Sequence, residues 1–324
     1  SEDFFPHRPE AHSVHLVNVA YNSLFLGEIC LPDWDMFHSL HASAELHAAA
    51  RSIGGCPVYV SDVPGRHNAT LLKKLVLPDG SILRAQLPGR PTRDCLFADV
   101  GKDGTTALKI WNLNKAGLGV VGAFNVQGVA WNFVTHENEV LVETAAPIVA
   151  SIKPFDVEAL RNQEGEFAVW EYKQGSLHLL ANGDEMIQTT LPHHDWTIFT
   201  IAPIQTTESI RWAPIGLGDM MNSGGALERV GPLEQTLVKD ETSKDSLRHT
   251  TTADITVRGP GRFVAYCQPA PSSIIINDGT GTISSTLTFT HDSKSGLLSF
   301  ELPNESADKH PHELSIVWDE AMND

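Results

Sequence analysis

Along the first hundred residues, apolar positions alternate between helical runs and short extended ones. His12 to Gly27 is an apolar-rich helical stretch, Leu31 to Trp34 a short strand ending in acids, and Ala42 to Ile53 an alanine-rich helix stopped by Gly54 and Gly55. Pro57 to Ser61 (PVYVS) predicts a buried parallel strand, and Thr70 to Leu77 another short helix. Alternating βα units imply a parallel sheet with helices outside, either doubly wound or closed into a barrel. After Arg93 the pattern changes to short runs rich in Val, Ile, Thr, Phe and Trp, separated by Gly, Asn and Asp turns. Phe167 to Tyr172 and Leu177 to Leu180 read as a hairpin. Thr197 to Ile204, Ala253 to Val257, Phe263 to Cys267, Ser273 to Ile276, Thr282 to Phe289 and Leu297 to Leu302 supply further strands of an antiparallel β-sandwich. Polar stretches at Glu234 to His249 and Asn304 to His312 read as exposed loops.

In both parallel architectures chemistry sits where strands end, and the two strand ends here carry Asp33, Trp34, Asp35 and Met36 in one case and Ser61 and Asp62 in the other. That coincidence favours a barrel rim. With Ser1-Glu2-Asp3-Phe4-Phe5-Pro6, these segments put acids beside aromatic residues, the composition of a sugar site. Carboxylates bind hydroxyl pairs and move protons, and aromatic faces stack on a pyranose ring. The same residues have plainer roles open to them. Asp35 and Asp62 are candidate helix N-caps, and Trp34 and Phe37 candidate core residues.

Composition narrows the classes. In 324 residues, 23 Lys and Arg stand against 40 Asp and Glu, a formal charge of −17 that repels polyanions, and no apolar run reaches membrane-spanning length. Nucleic acid and membrane are therefore not expected partners. Cys30, Cys56, Cys95 and Cys267 are scattered without metal-ligand spacing and read as reduced thiols. His38, His41 and His47 lie near Glu45 but lack the His-Glu-x-x-His pattern, and a spacing of six puts His41 and His47 on different faces of a helix. Gly216 to Gly225 (GLGDMMNSGG) follows no parallel strand and lacks Lys-Ser/Thr, so it reads as a sandwich turn rather than a phosphate loop. No targeting signal is visible, which favours the cytoplasm.

The segments PDWDMFHSLHASAELHAAARSIGGCPVYVSDVPGRHN, LVLPDGSILRAQLPGRPTRDCLF and LKIWNLN closely resemble the raffinose synthase, seed imbibition protein and alkaline α-galactosidase group of glycoside hydrolase family 36. IRWAPIGLGDMMNSGGAL and GRFVAYC extend the likeness more loosely. The resemblance implies that residues 1–97 are the C-terminal part of a catalytic (β/α)8 TIM barrel and residues 98–324 a C-terminal β-sandwich. It implies a retaining double displacement through a galactosyl-enzyme intermediate, with neither cofactor nor metal. Ser1-Glu2-Asp3-Phe4 is similar to the family's acid/base motif from its third position, which makes Asp3 the implied acid/base. Asp-Trp-Asp-Met is similar to the motif lining the galactose pocket, which maps to Asp35 and Met36, with Asp33, Trp34 and Asp62 as neighbours. The nucleophile's Lys-x-Asp context is absent from the chain, so the 324 residues alone are expected to be inactive and, with an open barrel, prone to aggregate.

The expected substrate is an α-galactoside oligosaccharide, with sucrose or water as acceptor. LPGRPTRDCLF resembles the seed imbibition and alkaline α-galactosidase branch, which tilts the expectation toward hydrolysis. Galactinol-dependent transfer to sucrose, making raffinose, is the alternative. A third reading is a non-catalytic carbohydrate-binding sandwich.

Overall fold

The computed structural model of the chain describes residues 3–239, 247–277, 283–304 and 311–320. Helix α1 (Pro9–Leu26) has proline in its first turn, where a missing N–H costs nothing, and buries Leu16, Val19 and Ala20. Helix α2 (Ala44–Ile53) is buried at every position except Glu45, because alanines at successive turns let other elements approach on all sides. Gly55, with φ of 65°, ends it in the left-handed conformation glycine adopts without strain. Helix α3 (Ala69–Leu72) is shorter than the expected Thr70 to Leu77; the Asn68 side chain caps it by accepting from the Leu71 amide at 3.1 Å.

The two expected parallel strands contract to a single parallel bridge between Phe37 and Val60, with Ser61 N–H donating to Phe37 O at 3.1 Å. Leu31 to Trp34 forms no ladder. Pro32 has no N–H to give, and the Asp35 amide turns back onto Asp33 Oδ1 at 2.8 Å, with Asp35 at φ 59°.

The β-rich remainder forms two sheet systems rather than the single expected sandwich. The first is a six-stranded antiparallel sheet in the order Arg90–Pro91, Leu108–Leu113, Gly119–Phe124, Trp196–Pro203, Phe167–Glu171, Ser176–Leu180. The expected boundary at 97/98 therefore falls between two neighbouring strands of one sheet. Strand alternation explains how both faces are buried. Ile110, Val120 and Ile198 pack with Ile53 and the α2 alanines, while Trp111, Val121 and Phe199 pack with Ile148–Ile152 and Ile187–Leu191, a two-stranded ladder across the other face. Helix α2 seats over Gly122, where a Cβ would lie 2.4 Å from Ile53 Cδ1.

From Gln205 onward a two-sheet sandwich follows. One sheet runs Gln205–Thr206, Arg211–Leu217, Gly261–Gln268, Leu297–Leu302, Phe289–Asp292; the other runs Leu227–Lys239, Leu247–Val257, His312–Glu320, Ser273–Asn277, Ile283–Thr286. Trp212, Phe263, Ile255, Ile316 and Trp318 fill the space between. The expected loop at Glu234 to His249 is largely a hairpin, Leu227–Lys239 paired with Leu247–Val257. Glu234, Gln235, Thr236 and His249 are exposed on it, and 240–246 lie outside the described residues. Most of the Asn304 to His312 stretch, 305–310, also lies outside them.

The glycine-rich segment is a sandwich turn, and it carries the joint between the two systems. Asn222 and Asn114 exchange amide hydrogen bonds at 2.9 Å each way, and Asn222 also donates to Leu83 O at 3.1 Å, all buried. Asn222→Ala leaves the Asn114 amide and the Leu83 carbonyl unpaired. It is expected to lower unfolding stability by roughly 2–3 kcal/mol in urea titrations, and a loss below about 0.5 kcal/mol would contradict this role.

Candidate functional site

The Phe37–Val60 bridge brings the two acid-bearing segments side by side, and α1 and α2 close in from behind. The N-terminal segment joins them through one bond: the Phe4 amide donates to Asp35 Oδ2 at 2.8 Å. Asp3 is thereby held, exposed, one residue from the Asp35 carboxylate. The Phe4 ring, 7% exposed, anchors this arrangement; it meets the rings of His12, His15, His38, His41 and His47 with centroids 5.0 to 6.5 Å away.

Asp33 is exposed and accepts from Tyr59 Oη at 3.0 and 2.9 Å on its two oxygens. Partial desolvation and this hydrogen bond push the Tyr59 hydroxyl up to about 12. Met36 is half-buried at the edge of the same core. Asp3, Asp33, Asp35 and Met36 thus gather at one rim, with Tyr59 supplying an aromatic face 40% exposed.

Trp34 and Asp62 are placed otherwise. The Trp34 indole is 1% exposed, donates to Ser23 Oγ at 3.2 Å and packs in the core against Gly54 at the end of α2, so it offers no stacking face. The Asp62 carboxylate is 3% exposed and accepts from Ser39 N at 2.8 Å, Ser39 Oγ at 2.5 Å and His67 Nδ1 at 3.1 Å. Burial acts to raise its pKa, but the bonds from Ser39 and His67 prevail and hold it below the usual carboxylate value. Asp62 therefore ties one strand end to the other. Neither Asp35 nor Asp62 caps a helix, since Ser43 precedes α2 and Asn68 precedes α3.

The residue that organises the rim is one the motif pattern did not single out. Arg51, 1% exposed and in the last turn of α2, has five N–H groups and engages all of them. Nε donates to Asp35 O at 3.0 Å, Nη2 to Trp34 O at 2.6 Å and Met36 O at 3.0 Å, and Nη1 to His47 Nδ1 at 3.1 Å and His47 O at 3.2 Å. With the guanidinium charged, His47 Nδ1 is an acceptor. The His47 proton then sits on Nε2 and is donated to His12 Nδ1 at 2.8 Å. His15 Nε2 lies 3.1 Å from both Trp34 O, to which it donates in the Nε2–H tautomer, and Arg51 Nη2. The one cation of an alanine-rich helix, four residues from His47 and so on its face, is the signal that locates Arg51. His41 and His47 do share a neighbour, Phe4, despite their spacing; His41 lies in the turn ahead of α2, where helical periodicity does not apply.

Burial keeps these histidines neutral. It lowers His12 to about 4, His15 to about 3 with help from Arg51, and His194 to about 4; His47 lies well below the ordinary value for the same reason. His194 bonds to Ser13 on α1 at 3.0 Å and so belongs to the same packing. Burial lowers Arg51 to about 10, which leaves it charged at neutral pH.

These features define a mixed protein: a short parallel β/α part with an acid-rich strand end, continuous with antiparallel sheets. The family model described as "Raffinose synthase or seed imbibition protein Sip1" matches residues 1–302, and the chain belongs to that family. "Probable galactinol–sucrose galactosyltransferase 6" of Arabidopsis thaliana is 43% identical over 93% of the chain and 38% of its own length. A galactinol–sucrose galactosyltransferase of Oryza sativa subsp. japonica is 41% identical over 81% of the chain and 33% of its own length. Stachyose synthase of Pisum sativum is 38% identical over 82% and 30%. The chain thus spans well under half the length of these relatives. Among solved structures, a β-L-arabinopyranosidase of Geobacillus stearothermophilus aligns at TM-score 0.42 and 12% identity, over 63% of this chain and 44% of that one. Among the described residues no helix is long and apolar enough to cross a membrane.

The histidine cluster sets a pH dependence. His12, His15, His47 and His194 have folded pKa values below 6.5, so the unfolded chain binds more protons than the folded one below that pH. Stability from these groups is complete above about pH 6.5 and is lost as pH falls toward about 4. The midpoint of thermal unfolding is expected to drop steeply from pH 6.5 to 4.5 and less steeply in His12→Asn. A flat profile over that interval contradicts the assignment.

Proposed function

We propose that the full-length protein transfers an α-galactosyl group from galactinol to sucrose, through a galactosyl-enzyme intermediate, and that this chain supplies its acid/base and part of its galactose pocket. The observation that carries the reading is the bond from the Phe4 amide to the Asp35 carboxylate, which sets Asp3 and Asp35 at one rim. The names of the relatives support transfer over hydrolysis.

In this reading Asp3 protonates the departing glycosidic oxygen while a carboxylate from outside the chain's sequence attacks the anomeric carbon. Asp3 then takes the proton of the incoming acceptor hydroxyl as the galactosyl group moves to it. Asp35 accepts from galactose hydroxyls, Met36 covers the sugar's apolar side, and Asp33 with Tyr59 borders the pocket. Trp34 and Asp62 support the rim from within. Neither cofactor nor metal enters, because two carboxyl groups suffice for both half-reactions. Hydrolysis, toward which LPGRPTRDCLF points, remains the second reading; it shares the first half-reaction and differs only in the acceptor.

Two measurements on the full-length protein test this. With galactinol as donor, added sucrose is expected to divert galactosyl groups into raffinose, whereas free galactose as the main product at any sucrose concentration selects hydrolysis. Asp3→Ala is expected to cost roughly 10²–10⁴-fold on galactinol, yet far less on aryl galactosides whose leaving group needs no protonation. Equal losses on both donors remove Asp3 from the acid/base role.

A further inference from the structure

We propose that Arg51 is a positioning residue for the sugar site: its planar fork holds the backbone of Trp34, Asp35 and Met36 in the one shape that presents the Asp35 carboxylate to the pocket. The inference rests on the reading of Asp35 as a galactose contact. Asp35 stands at φ 59°, in the left-handed region that a residue with a Cβ enters at a cost. Three successive carbonyls turned toward one point are repelled by their like dipoles unless a donor array gathers them. Arg51 provides that array, with Nε on the Asp35 carbonyl and Nη2 on those of Trp34 and Met36. The far side of the fork is fixed by the ring nitrogen and carbonyl of His47. Among the described residues Arg51 forms no ion pair; its charge is met by carbonyl dipoles and by histidines held neutral, with Asp35 and Asp33 acting from further off. A carboxylate at this position would compete with the carbonyls for the fork and release the loop.

Other groups around the fork constrain the same loop. His15 donates to the Trp34 carbonyl from α1, and the Phe37 ring lies under the guanidinium at 5.4 Å from its centroid. Lysine keeps the charge but offers three donors at one point, which cannot span three successive carbonyls and His47 together. Arg51→Lys therefore isolates geometry from charge.

The test uses the full-length protein, with kcat and KM for galactinol and a denaturant unfolding curve for each variant. Arg51→Lys is expected to raise KM about tenfold with kcat within about threefold, because the loop binds sugar and the acid/base is untouched. Asp35→Asn is expected to raise KM as well, and the double variant to be no worse than Asp35→Asn, since one effect acts through the other. An unchanged KM in Arg51→Lys, or effects of the two substitutions that multiply in full, overturns the inference. So does the loss of a cooperative unfolding transition in both Arg51→Lys and Arg51→Gln, which would make Arg51 a requirement of the fold. If Asp35→Asn alone leaves KM unchanged, the sugar-site reading itself is removed and the inference falls with it.

Discussion

A guanidinium buried among alanines, with all five of its donors assigned, is the interaction on which the rest of the rim depends. Taking such a charge out of water is costly unless its hydrogen bonds are met in full. Here it is met by the backbone of the very segment that bears the acids, so the desolvated charge has no alternative loop shape that satisfies it as well. The histidines behind it follow from the same constraint. A charged imidazole beside Arg51 would add a second unpaired cation, and the burial that keeps His15 and His47 neutral is what lets them complete the network.

The β-rich two-thirds provide a rigid support for this short parallel part. Helix α2 is pressed between the site segment and the six-stranded sheet, seated over Gly122, so Arg51 cannot shift without moving the sheet face. That sheet is in turn fixed to the sandwich by the paired amides of Asn114 and Asn222. Buried core backs the rim, while the rim itself carries the left-handed Asp35 and the exposed Asp3 and Asp33. Such a division suits a site whose polar groups have to stay available to a ligand.

Much of this was legible in the sequence, and what was not has definite physical reasons. Periodicity located α1, α2 and fewer than half of the described strands after Arg93; among those it missed, Leu108–Leu113, Gly119–Phe124 and Arg211–Leu217 are buried on both faces and so show no alternation. It misplaced the parallel strand before the acids, since Pro32 and the Asp33–Asp35 turn deny that stretch its ladder. It also merged two sheet systems into one, because which strand pairs with which is set by long-range contacts that alternation does not encode. The acids Asp3, Asp33 and Asp35 were singled out by residue type and resemblance, and the fold gathers them. Trp34 and Asp62 share the same composition but point inward, a distinction that depends on side-chain direction at the strand end. Arg51 was passed over because most of its partners are backbone carbonyls, which leave no mark in a sequence; only its i,i+4 spacing from His47 does.

The proposed site places galactose between Asp3 and Asp35. A crystal structure of the full-length protein with galactose bound tests it most directly. Sugar hydroxyls are expected within about 3.2 Å of the Asp35 carboxylate, and the anomeric oxygen within reach of Asp3. Galactose bound with neither carboxylate in contact would contradict it.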